Sequence, residues 1–353
     1  MQDQELNPAQ ELLADLAADL DDVRTIVIPG GGVSLVEEMA MLHPAAAIHW
    51  IPIDARELPA PDGIVVHDDI AEMHIPAGTA DLVAIEVTGD RDLARRWIAL
   101  AREVARSTGV VLLAGANDAG IRSVIGDARD AIGLSVVEDF RRRNRVAHIG
   151  VPTVMPEAPD WAREAGIAPG TWGRFVVSAA GVDLVFETIP GVFSADGLDA
   201  GTALLLEHLE VPAGGSVLDV GCGTGVIGVV AGSRGAGAVT MTDVSLLAVA
   251  AARRNADLTE VPVEVVPGDL YEGVEGRRFD LIVSNPPFHQ GKVVDYDMPQ
   301  RLIAEARAHL NPGGRLVIVA NAFLPYDRLM REHLGEVDVL AATRQYRVLA
   351  ASV

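Results

Sequence analysis

Cysteine and lysine are almost absent from this chain, which has 353 residues but only one of each, Cys222 and Lys292. A single cysteine excludes an intramolecular disulfide and fits a reducing compartment, so we expect a cytoplasmic protein. Aromatic residues make up only 4% of the chain, and we therefore expect cores of valine, leucine, isoleucine and alanine. No apolar run approaches the ~20 residues of a transmembrane helix, so the sequence predicts no membrane partner.

Positive charge is also scarce. The chain carries 50 acidic and 28 basic residues, which gives a net charge of −22. Both halves are acidic, because residues 1–175 hold 28 acids and 15 bases and residues 176–353 hold 22 acids and 13 bases. This balance argues against strong non-specific binding to nucleic acid, whose phosphates attract basic proteins. It leaves room for a local basic patch.

Short apolar strands alternate with helical stretches along both halves of the chain, which is typical of a parallel α/β sheet. In the second half, the strand at 216–220 is followed by Gly221, Gly223 and Gly225, and an apolar helix pattern begins at once. Glycine at alternate positions allows a sharp turn and lets a ligand approach the backbone. The N-terminus of the next helix offers free N–H groups to an anionic group of that ligand.

The two halves of the chain resemble each other in order and in sequence. The stretch at 81–87 aligns with 280–286, and the stretch at 111–117 aligns with 316–321. Self-similarity of this kind indicates a repeated structural unit. We therefore predict an α/β protein made of two tandem Rossmann-like folds that arose by duplication.

The first copy is predicted to have lost catalysis. It has Glu86 where the second copy has Asn285, and Pro29 interrupts its glycine-rich turn. A proline-rich region separates the copies. We place a degenerate domain, used for recognition or stability, at 1–170 and a catalytic domain at 171–353.

The glycine turn alone fits several cofactors that contain adenosine. An acid at the end of the second strand of such a fold accepts hydrogen bonds from ribose hydroxyls, and Asp243 stands there. This pattern is compatible with NAD, FAD and S-adenosylmethionine. Asp219, two residues before Gly221, can meet the amino group of a methionine moiety but would repel a pyrophosphate, which favours S-adenosylmethionine. The alternative role for Asp243 is to cap the helix that begins near Ser245.

A second motif, Asn285-Pro286-Pro287-Phe288, follows a later strand at the edge where such sheets bind ligands. The amide oxygen of Asn285 and the carbonyl of Pro286 can accept both hydrogens of a planar –NH2 group and aim its nitrogen at a methyl group. Phe288 offers a face on which a flat ring can stack. Asn285, Pro286 and Phe288 are thus the predicted catalytic residues, and no metal is expected. The alternative for an isolated Asn-Pro-Pro is a turn that ends a strand.

With these motifs the chain resembles the ribosomal RNA guanine-N2 methyltransferases of the small-subunit class C family and their large-subunit relatives. The first half is similar more faintly, through residues 115–123. The strong similarity is confined to segments of the second half, namely 190–199, the glycine turn, 284–289 and 320–326.

The resemblance implies a tandem pair of class I methyltransferase folds, with the second copy catalytic. It implies methylation of the exocyclic N2 amine of a guanine in ribosomal RNA, with S-adenosylmethionine as donor, and favours 16S over 23S RNA. By the same resemblance, Phe193, Asp199 and Thr202 lie beside the methionine end of the cofactor, and Asp269 and Leu270 flank its adenine. The predicted cofactor site therefore consists of Phe193, Asp199, Thr202, Asp219, Gly221, Gly223, Gly225, Asp243, Asp269, Leu270 and Asn285.

The resemblance also implies ribosomal RNA as the partner, within a ribosomal subunit. An acidic enzyme needs a local basic face for this task. The candidate RNA-binding residues are Arg141, Arg142, Arg143, Arg145 and Lys292. The alternative for each of them is an ordinary solvated side chain.

Other functions remain open on the sequence. Methylation of a glutamine amide or an adenine amine also presents an –NH2 group to Asn-Pro-Pro, although those enzymes commonly place Tyr or Trp at the position of Phe288. A non-catalytic ribosome-assembly or RNA-binding factor is an alternative of another class. The acidity of the chain favours it, and the intact motifs of the second copy oppose it.

Overall fold

The computed structural model describes residues 5–71, 73–179, 182–287 and 297–353. The chain forms two compact units. The first comprises Met1–Gly173 with Ile189–Gly191, and the second comprises Arg174–Thr188 with Val192–Val353. Within the described residues, no helix is both long enough and apolar enough to cross a membrane.

The first unit is built on one sheet with helices on its faces. Its strands are β1 (Thr25–Pro29), β2 (Ala47–Ile51), β3 (Val65–Val66), β4 (Ala80–Val87), β5 (Ala105–Ala116), β6 (Ser135–Arg141) and β7 (Asn144–Gly150). Its helices are α1 (Pro8–Ala18), α2 (Val33–Leu42), α3 (Arg91–Val104) and α4 (Ile121–Ala131).

The strand order of this sheet is β3-β2-β1-β4-β5-β7-β6. All pairs are parallel except those of β7, which runs antiparallel to both β5 and β6. The central strand β4 is buried along nearly its whole length, as expected for a strand whose two faces are both covered by helices. Asn7 caps α1 by accepting the N–H groups of Ala9 and Gln10, which holds the first turn of that helix.

The second unit repeats this plan. It begins with a separate two-stranded sheet of β8 (Gly173–Ala179) and β9 (Val182–Thr188), which is not part of the main sheet. Its sheet consists of β10 (Ser216–Val220), β11 (Ala238–Asp243), β12 (Val263–Pro267), β13 (Phe279–Ser284), β14 (Leu310–Asn321), β15 (Val337–Ala342) and β16 (Tyr346–Ser352). The helices are α5 (Ala200–His208), α6 (Val226–Ser233), α7 (Leu246–Ala256), α8 (Asp297–Ala306) and α9 (Tyr326–His333).

The two sheets have the same topology. The second has the order β12-β11-β10-β13-β14-β16-β15, which is the first order advanced by nine strands. Both sheets shift register at the same place, between Ala80 and Leu82 in the first and between Phe279 and Leu281 in the second. The predicted duplication of a Rossmann-like α/β fold is therefore confirmed.

Equivalent aspartates make equivalent bonds in the two units. Asp81 of β4 accepts the N–H groups of Arg24 and Thr25 at the start of β1, at 2.8 and 2.9 Å. Asp280 of β13 accepts the N–H of Ser216 at the start of β10, at 2.8 Å. Burial of one end of each carboxylate is offset by these backbone donors.

The core of the second unit lies on both faces of its sheet. Neighbouring residues of β10 point to opposite faces, so Val217 packs in one apolar cluster and Leu218 in the other. Leu281 and Ile282 of β13 divide in the same way, as the two-residue period of a strand requires. Two covered faces leave only the edges of the sheet for ligands, and the carboxyl edge holds the predicted motifs.

Candidate active site

The glycine turn connects β10 to α6 at the carboxyl edge of the second sheet. Gly221, Gly223 and Gly225 have φ angles of 69°, 56° and 82°, in the left-handed region that residues with a Cβ rarely adopt. The turn is anchored, because the N–H groups of Gly221 and Cys222 donate to the carbonyl of Thr242 at 2.8 and 3.0 Å. A side chain at these glycines would strain the turn at the place where a ligand can meet the backbone.

A buried carboxylate lies beneath this turn. Asp219 has no exposed surface, and its Oδ2 atom accepts the N–H of Gly228 at 2.9 Å. Its Oδ1 atom is buried too and has no hydrogen-bond partner among the described residues. Burial raises the pKa of Asp219 to about 7, and the nearby Asp243 adds to the rise. An unpartnered buried carboxylate oxygen is costly, so this atom marks a place that favours a donor from a ligand.

Asp243, the last residue of β11, is bonded to the glycine turn. Its Oδ2 atom accepts the N–H of Gly223 at 2.9 Å, and its Oδ1 atom accepts the N–H of Ser245 at 2.8 Å. Burial raises the pKa of Asp243, and these backbone hydrogen bonds oppose the rise. Ser245 is itself the residue that caps α7. The Asp243 carboxylate therefore holds the shape of the turn, and its contact with a ribose stays a prediction.

Asn285 follows β13 and is held by the start of α5. Its Nδ2 atom donates to Asp199 Oδ2 at 3.0 Å and to Thr202 Oγ1 at 2.8 Å. Asp199 in turn caps α5 by accepting the N–H of Thr202 at 2.9 Å. The opposite orientation of the amide would bring its oxygen to 3.0 Å from a carboxylate, so the amide nitrogen must face Asp199. The Asn285 Oδ1 atom is left buried and without a partner among the described residues.

The glycine turn and the network of Asn285, Asp199 and Thr202 line one pocket. Six of the predicted cofactor residues line it, namely Phe193, Asp199, Thr202, Gly221, Gly223 and Asn285. Three others, Asp219, Gly225 and Asp243, lie on the elements that frame the glycine turn. Pro286 is buried directly after Asn285. Sequence reasoning thus found residues from four separate elements that the fold brings together, while their contacts with a cofactor stay predictions.

The sequence analysis missed several residues of the pocket. Cys222 and Thr224 lie within the glycine motif, so the motif itself contained the signal for them. Burial raises the pKa of the Cys222 thiol far above its usual value, so this group stays protonated. Nothing in the sequence indicated that Phe175 of β8 would line the pocket, because the pattern of a two-stranded segment does not show where it packs in the fold. The pocket lining outside the prediction is Phe175, Ser194, Gly197, Leu198, Cys222, Thr224, Val226 and Ile227.

Asp269 and Leu270 follow β12 at the same edge. The backbone N–H of Gly268 donates to the carbonyl of Asp243 at 3.0 Å, which ties this loop to the end of β11. Leu270 has a φ of 58°, a strained conformation for a branched residue, and its carbonyl accepts the Thr242 hydroxyl at 2.9 Å. The Asp269 carboxylate pairs with Arg301 at 2.7 Å. Their predicted place beside an adenine is not tested by these contacts.

Comparisons with known proteins agree with this geometry. The model of the family described as "Methyltransferase small domain" matches residues 183–350. A protein of Chromohalobacter salexigens named ribosomal RNA small subunit methyltransferase C is 42% identical over 265 residues, 72% of this chain and 73% of that protein. The chain belongs to the ribosomal RNA small subunit methyltransferase C family. A Haemophilus influenzae member is 46% identical over 167 residues, which cover 47% of this chain and only 50% of that one.

A solved structure extends the likeness to the whole chain. It is a T. thermophilus 16S rRNA N2 methyltransferase in complex with AdoMet and guanosine, with 27% identity and a TM-score of 0.81. The match covers 98% of this chain and 92% of that one. Both halves of the present family member therefore have the family's tandem methyltransferase fold.

Two predicted residues, Phe288 and Lys292, lie outside the described residues. The predicted arginine cluster lies in the first unit, at the hairpin formed by β6 and β7. Arg141 pairs with Asp15 at 2.9 Å, and Arg142 lies 3.6 Å from Glu11. Acids of α1 thus already face part of this cluster, which lowers its net positive charge. Its role in RNA binding stays a prediction.

The first unit keeps the layout of the asparagine network but exchanges its chemical groups. Glu86 of β4 occupies the position of Asn285, as the strand registers show. Asn7, the cap of α1, donates to Glu86 Oε1 at 2.8 Å, and Gln10 donates to Oε2 at 2.9 Å. In the second unit the helix cap is the carboxylate and the strand residue is the amide. Both Glu86 oxygens accept hydrogen bonds from the start of α1, whereas the Oδ1 atom of Asn285 has no partner among the described residues.

Glu86 is therefore expected to stabilise the first unit rather than to react. The variant Glu86→Ala removes the acceptor of two side-chain amides, and we expect it to lower the free energy of unfolding by about 1–3 kcal/mol. Tryptophan fluorescence during urea unfolding reports this unit alone, because all four tryptophans lie in it, namely Trp50, Trp97, Trp161 and Trp172.

The matched control is Glu37→Ala, which removes an exposed glutamate from α2 of the same unit. We expect its unfolding midpoint to stay within error of the wild type. Equal midpoints for the two variants would show that the Glu86 network contributes nothing.

Proposed function

We propose that this protein is an S-adenosylmethionine-dependent methyltransferase that acts on the exocyclic N2 amine of a guanine in 16S ribosomal RNA. The observation that carries the proposal is the buried Oδ1 atom of Asn285 beside the glycine turn, which has no hydrogen-bond partner in the described residues up to 287 and from 297 onward. It is an acceptor fixed by two hydrogen bonds on the other side of the same amide. A planar amine with hydrogens to donate is the group that such an acceptor fits.

Two carboxylates next to the pocket-lining glycine turn fit S-adenosylmethionine. The buried Asp219 Oδ1 atom has no partner in the described structure and suits a ligand that brings a positively charged amino group. Asp243 is the last residue of β11, the second strand of this sheet in chain order, and an acid at this position binds ribose hydroxyls in folds of this type. When bound, S-adenosylmethionine supplies a methyl group already activated by its sulfonium.

The chain's own contribution to the reaction is orientation. Asn285 Oδ1 and the carbonyl of Pro286 accept the two hydrogens of the guanine amine, which directs the nitrogen lone pair into the pocket. Rigid positioning of this kind accounts for a large part of many enzymatic rate enhancements. An arylamine-type nitrogen is barely basic and loses its proton only as the new bond forms, so no strong base is required. A guanine in an RNA duplex must rotate out of its base stack to reach the site.

The similarity to a structure that holds both AdoMet and guanosine supports the assignment of the two substrates. The names of the family members support ribosomal RNA of the small subunit as the substrate. RNA is bound by five basic residues in this proposal, namely Arg141, Arg142, Arg143, Arg145 and Lys292. The enzyme acts in the cytoplasm, on RNA within a ribosomal subunit.

Transfer of a tritiated methyl group tests this function. The purified protein is incubated with labelled S-adenosylmethionine and either naked 16S RNA, naked 23S RNA or each assembled subunit. The proposal expects label in 16S RNA or the small subunit and N2-methylguanosine as the product nucleoside in mass spectrometry. N6-methyladenosine, label in protein glutamine, or cofactor binding without any transfer would each contradict it.

Asp243→Ala is expected to raise the Kd for S-adenosylmethionine by about tenfold or more, since it removes charge-assisted hydrogen bonds. Isothermal titration calorimetry measures the change. Asp243→Asn keeps one acceptor for the N–H of Gly223 but loses the acceptor for the N–H of Ser245, so the thermal midpoint of each variant is measured to distinguish loss of the ribose contact from collapse of the turn. An unchanged Kd in both variants would refute the contact with the ribose.

A further inference from the structure

The internal symmetry of the chain points to a second hairpin that matches the arginine hairpin of the first unit. In the first unit, the N–H of Asn117 donates to the carbonyl of Arg143 at 2.9 Å. In the second unit, the N–H of Ala322 donates to the carbonyl of Gln345 at 2.7 Å. The pairing of β5 with β7 and of β14 with β16 then makes Arg344 the equivalent of Arg142.

The surroundings of the two arginines differ in charge. Arg142 lies 3.6 Å from Glu11 of α1. Glu11 is the fourth residue of α1, and the fourth residue of α5 is Ala203, so this acid has no counterpart beside Arg344. None of the ion pairs within the described parts of the chain involves Arg344, which is exposed at the tip of the hairpin. Among the described residues, Arg344 therefore has no ion-pair partner, whereas the charge of its counterpart Arg142 is partly neutralised by Glu11.

An exposed aromatic residue follows Ala322, whose backbone is bonded to Gln345, the residue after Arg344. Phe323 follows β14 and is 68% exposed, although its successor Leu324 is buried. The turn that carries it is fixed on both sides, because Ala322 bonds to Gln345 and the N–H of Leu324 donates to the carbonyl of Asn321 at 3.0 Å. Exposure of a large apolar side chain to water is unfavourable, and a rigid turn prevents this ring from folding back onto the protein. Binding of a ligand that covers the ring would remove this cost.

Contacts link this surface to the asparagine network. Asn321 pairs with Tyr346 in the sheet, and the Tyr346 ring lies 3.3 Å from the position of a Cβ on Gly201. Gly201 follows Asp199 by two residues on α5, and Asp199 binds Asn285. Phe323 and Arg344 thus lie at the carboxyl edge that holds the acceptor for the amine.

We propose that Phe323 and Arg344 bind the nucleotide that flanks the target guanine, with its base stacked on the Phe323 ring and its phosphate paired with Arg344. This inference rests on the proposed function. A guanine that has been turned out of its stack leaves its neighbour unstacked and extended, and an aromatic face with a cation beside it is the combination that binds single-stranded RNA. Because any base has a face to stack, this surface holds the strand while Asn285 selects the amine.

The test compares variants on the RNA or subunit that the wild type methylates, under saturating S-adenosylmethionine. Phe323→Ala is expected to raise the KM for RNA by about tenfold, with kcat and the Kd for S-adenosylmethionine within twofold. Phe323→Trp, which keeps a ring, is expected to retain the wild-type KM. Arg344→Ala is expected to reduce the slope of log Kd for RNA against log salt concentration by about 0.7, the value for one contact to a single strand. Arg344→Lys keeps the charge and is expected to keep the slope.

The matched controls are Val339→Ala, a half-exposed apolar residue of β15, and Arg315→Ala near the middle of β14, where Arg315 pairs with Glu210. Both are expected to behave as the wild type. Unchanged KM and salt slope in the Phe323 and Arg344 variants of an active enzyme would overturn this inference alone. A Phe323→Ala variant that loses S-adenosylmethionine binding would also overturn it. A wild type that methylates no RNA would overturn the proposed function and this inference with it.

Discussion

Replacement of Asn285 by alanine is expected to lower the kcat for methyl transfer by about a thousandfold. The Kd for S-adenosylmethionine is expected to change by no more than about threefold, since Asp219 and Asp243 remain in place. The variant loses the fixed acceptor, so the amine is no longer aimed. Single-turnover transfer of a tritiated methyl group gives the rate, and calorimetry gives the Kd.

The network around Asn285 supplies sharp controls for this experiment. Asn285→Asp keeps the shape but places a second carboxylate against Asp199, which lies 3.0 Å from the present amide nitrogen, so we expect it to be inactive as well. Asn311→Ala makes the same truncation at the opposite edge of the sheet, where the amide binds Asp280 at 2.8 Å, and is expected to keep full activity. If Asn285→Ala lost binding and activity in equal measure, its role would be to hold the cofactor.

The variant Asp219→Asn is expected to be more stable than the wild type at pH 8 and to bind S-adenosylmethionine at least about tenfold more weakly. Burial raises the pKa of this carboxyl from 3.8 to about 7. At 1.36 kcal/mol for each pKa unit, a difference of 3.2 corresponds to about 4 kcal/mol, an upper bound on the cost of the buried charge. We expect a gain smaller than this bound, because the amide carries no charge but brings a buried N–H group without an acceptor.

The size of this stability gain depends on pH in a defined way. Below the unfolded pKa near 4 the carboxyl is protonated in both states, so its burial costs nothing and the variant has no advantage. As pH rises through 4 to 7, the unfolded state releases its proton first and the wild type loses stability. Calorimetric melts at pH 4 and pH 8 test this window. A variant that gains as much stability at pH 4 as at pH 8 would show that the charge is not responsible.

Asp280→Asn is the control of opposite sign. The N–H of Ser216 and the amide of Asn311 lower the pKa of Asp280, so its charged form stabilises the folded state. This variant is expected to be less stable than the wild type at pH 8. Tryptophan fluorescence, which reports only the first unit, identifies which calorimetric transition belongs to the second.

The fold was largely predictable from the chain, for reasons that are local. Each strand such as β13 is a short apolar run, and each glycine turn stands at a strand end, so the order of elements follows from periodicity. The repeated stretches then required the same topology twice. What periodicity does not show is which residues approach one another across the sheet, and Phe175 and Phe323 were missed for that reason.

The candidate site was predictable only in its motifs. The sequence placed Gly221 and Asn285 at two strand ends, and the parallel sheet brings such ends together. It contained no sign that Asn285 would be fixed by Asp199 from α5, which is 86 residues away along the chain. Nor did it show that Glu86 would be saturated by Asn7 and Gln10, because hydrogen-bond partners depend on side-chain placement in space.

The sequence by itself determined the tandem Rossmann-like architecture, the glycine turn and the asparagine-proline motif, because all of these depend on residue type and local spacing. Only the tertiary structure decided which polar atoms are satisfied. Both oxygens of Glu86 accept hydrogen bonds from Asn7 and Gln10 at the start of α1, whereas one oxygen each of Asp219 and Asn285 is buried with no partner in the described part of the chain. An acceptor atom stays unpaired only where the packing of the fold brings too few donors to it. The order of residues along the chain does not show how many donors will lie nearby.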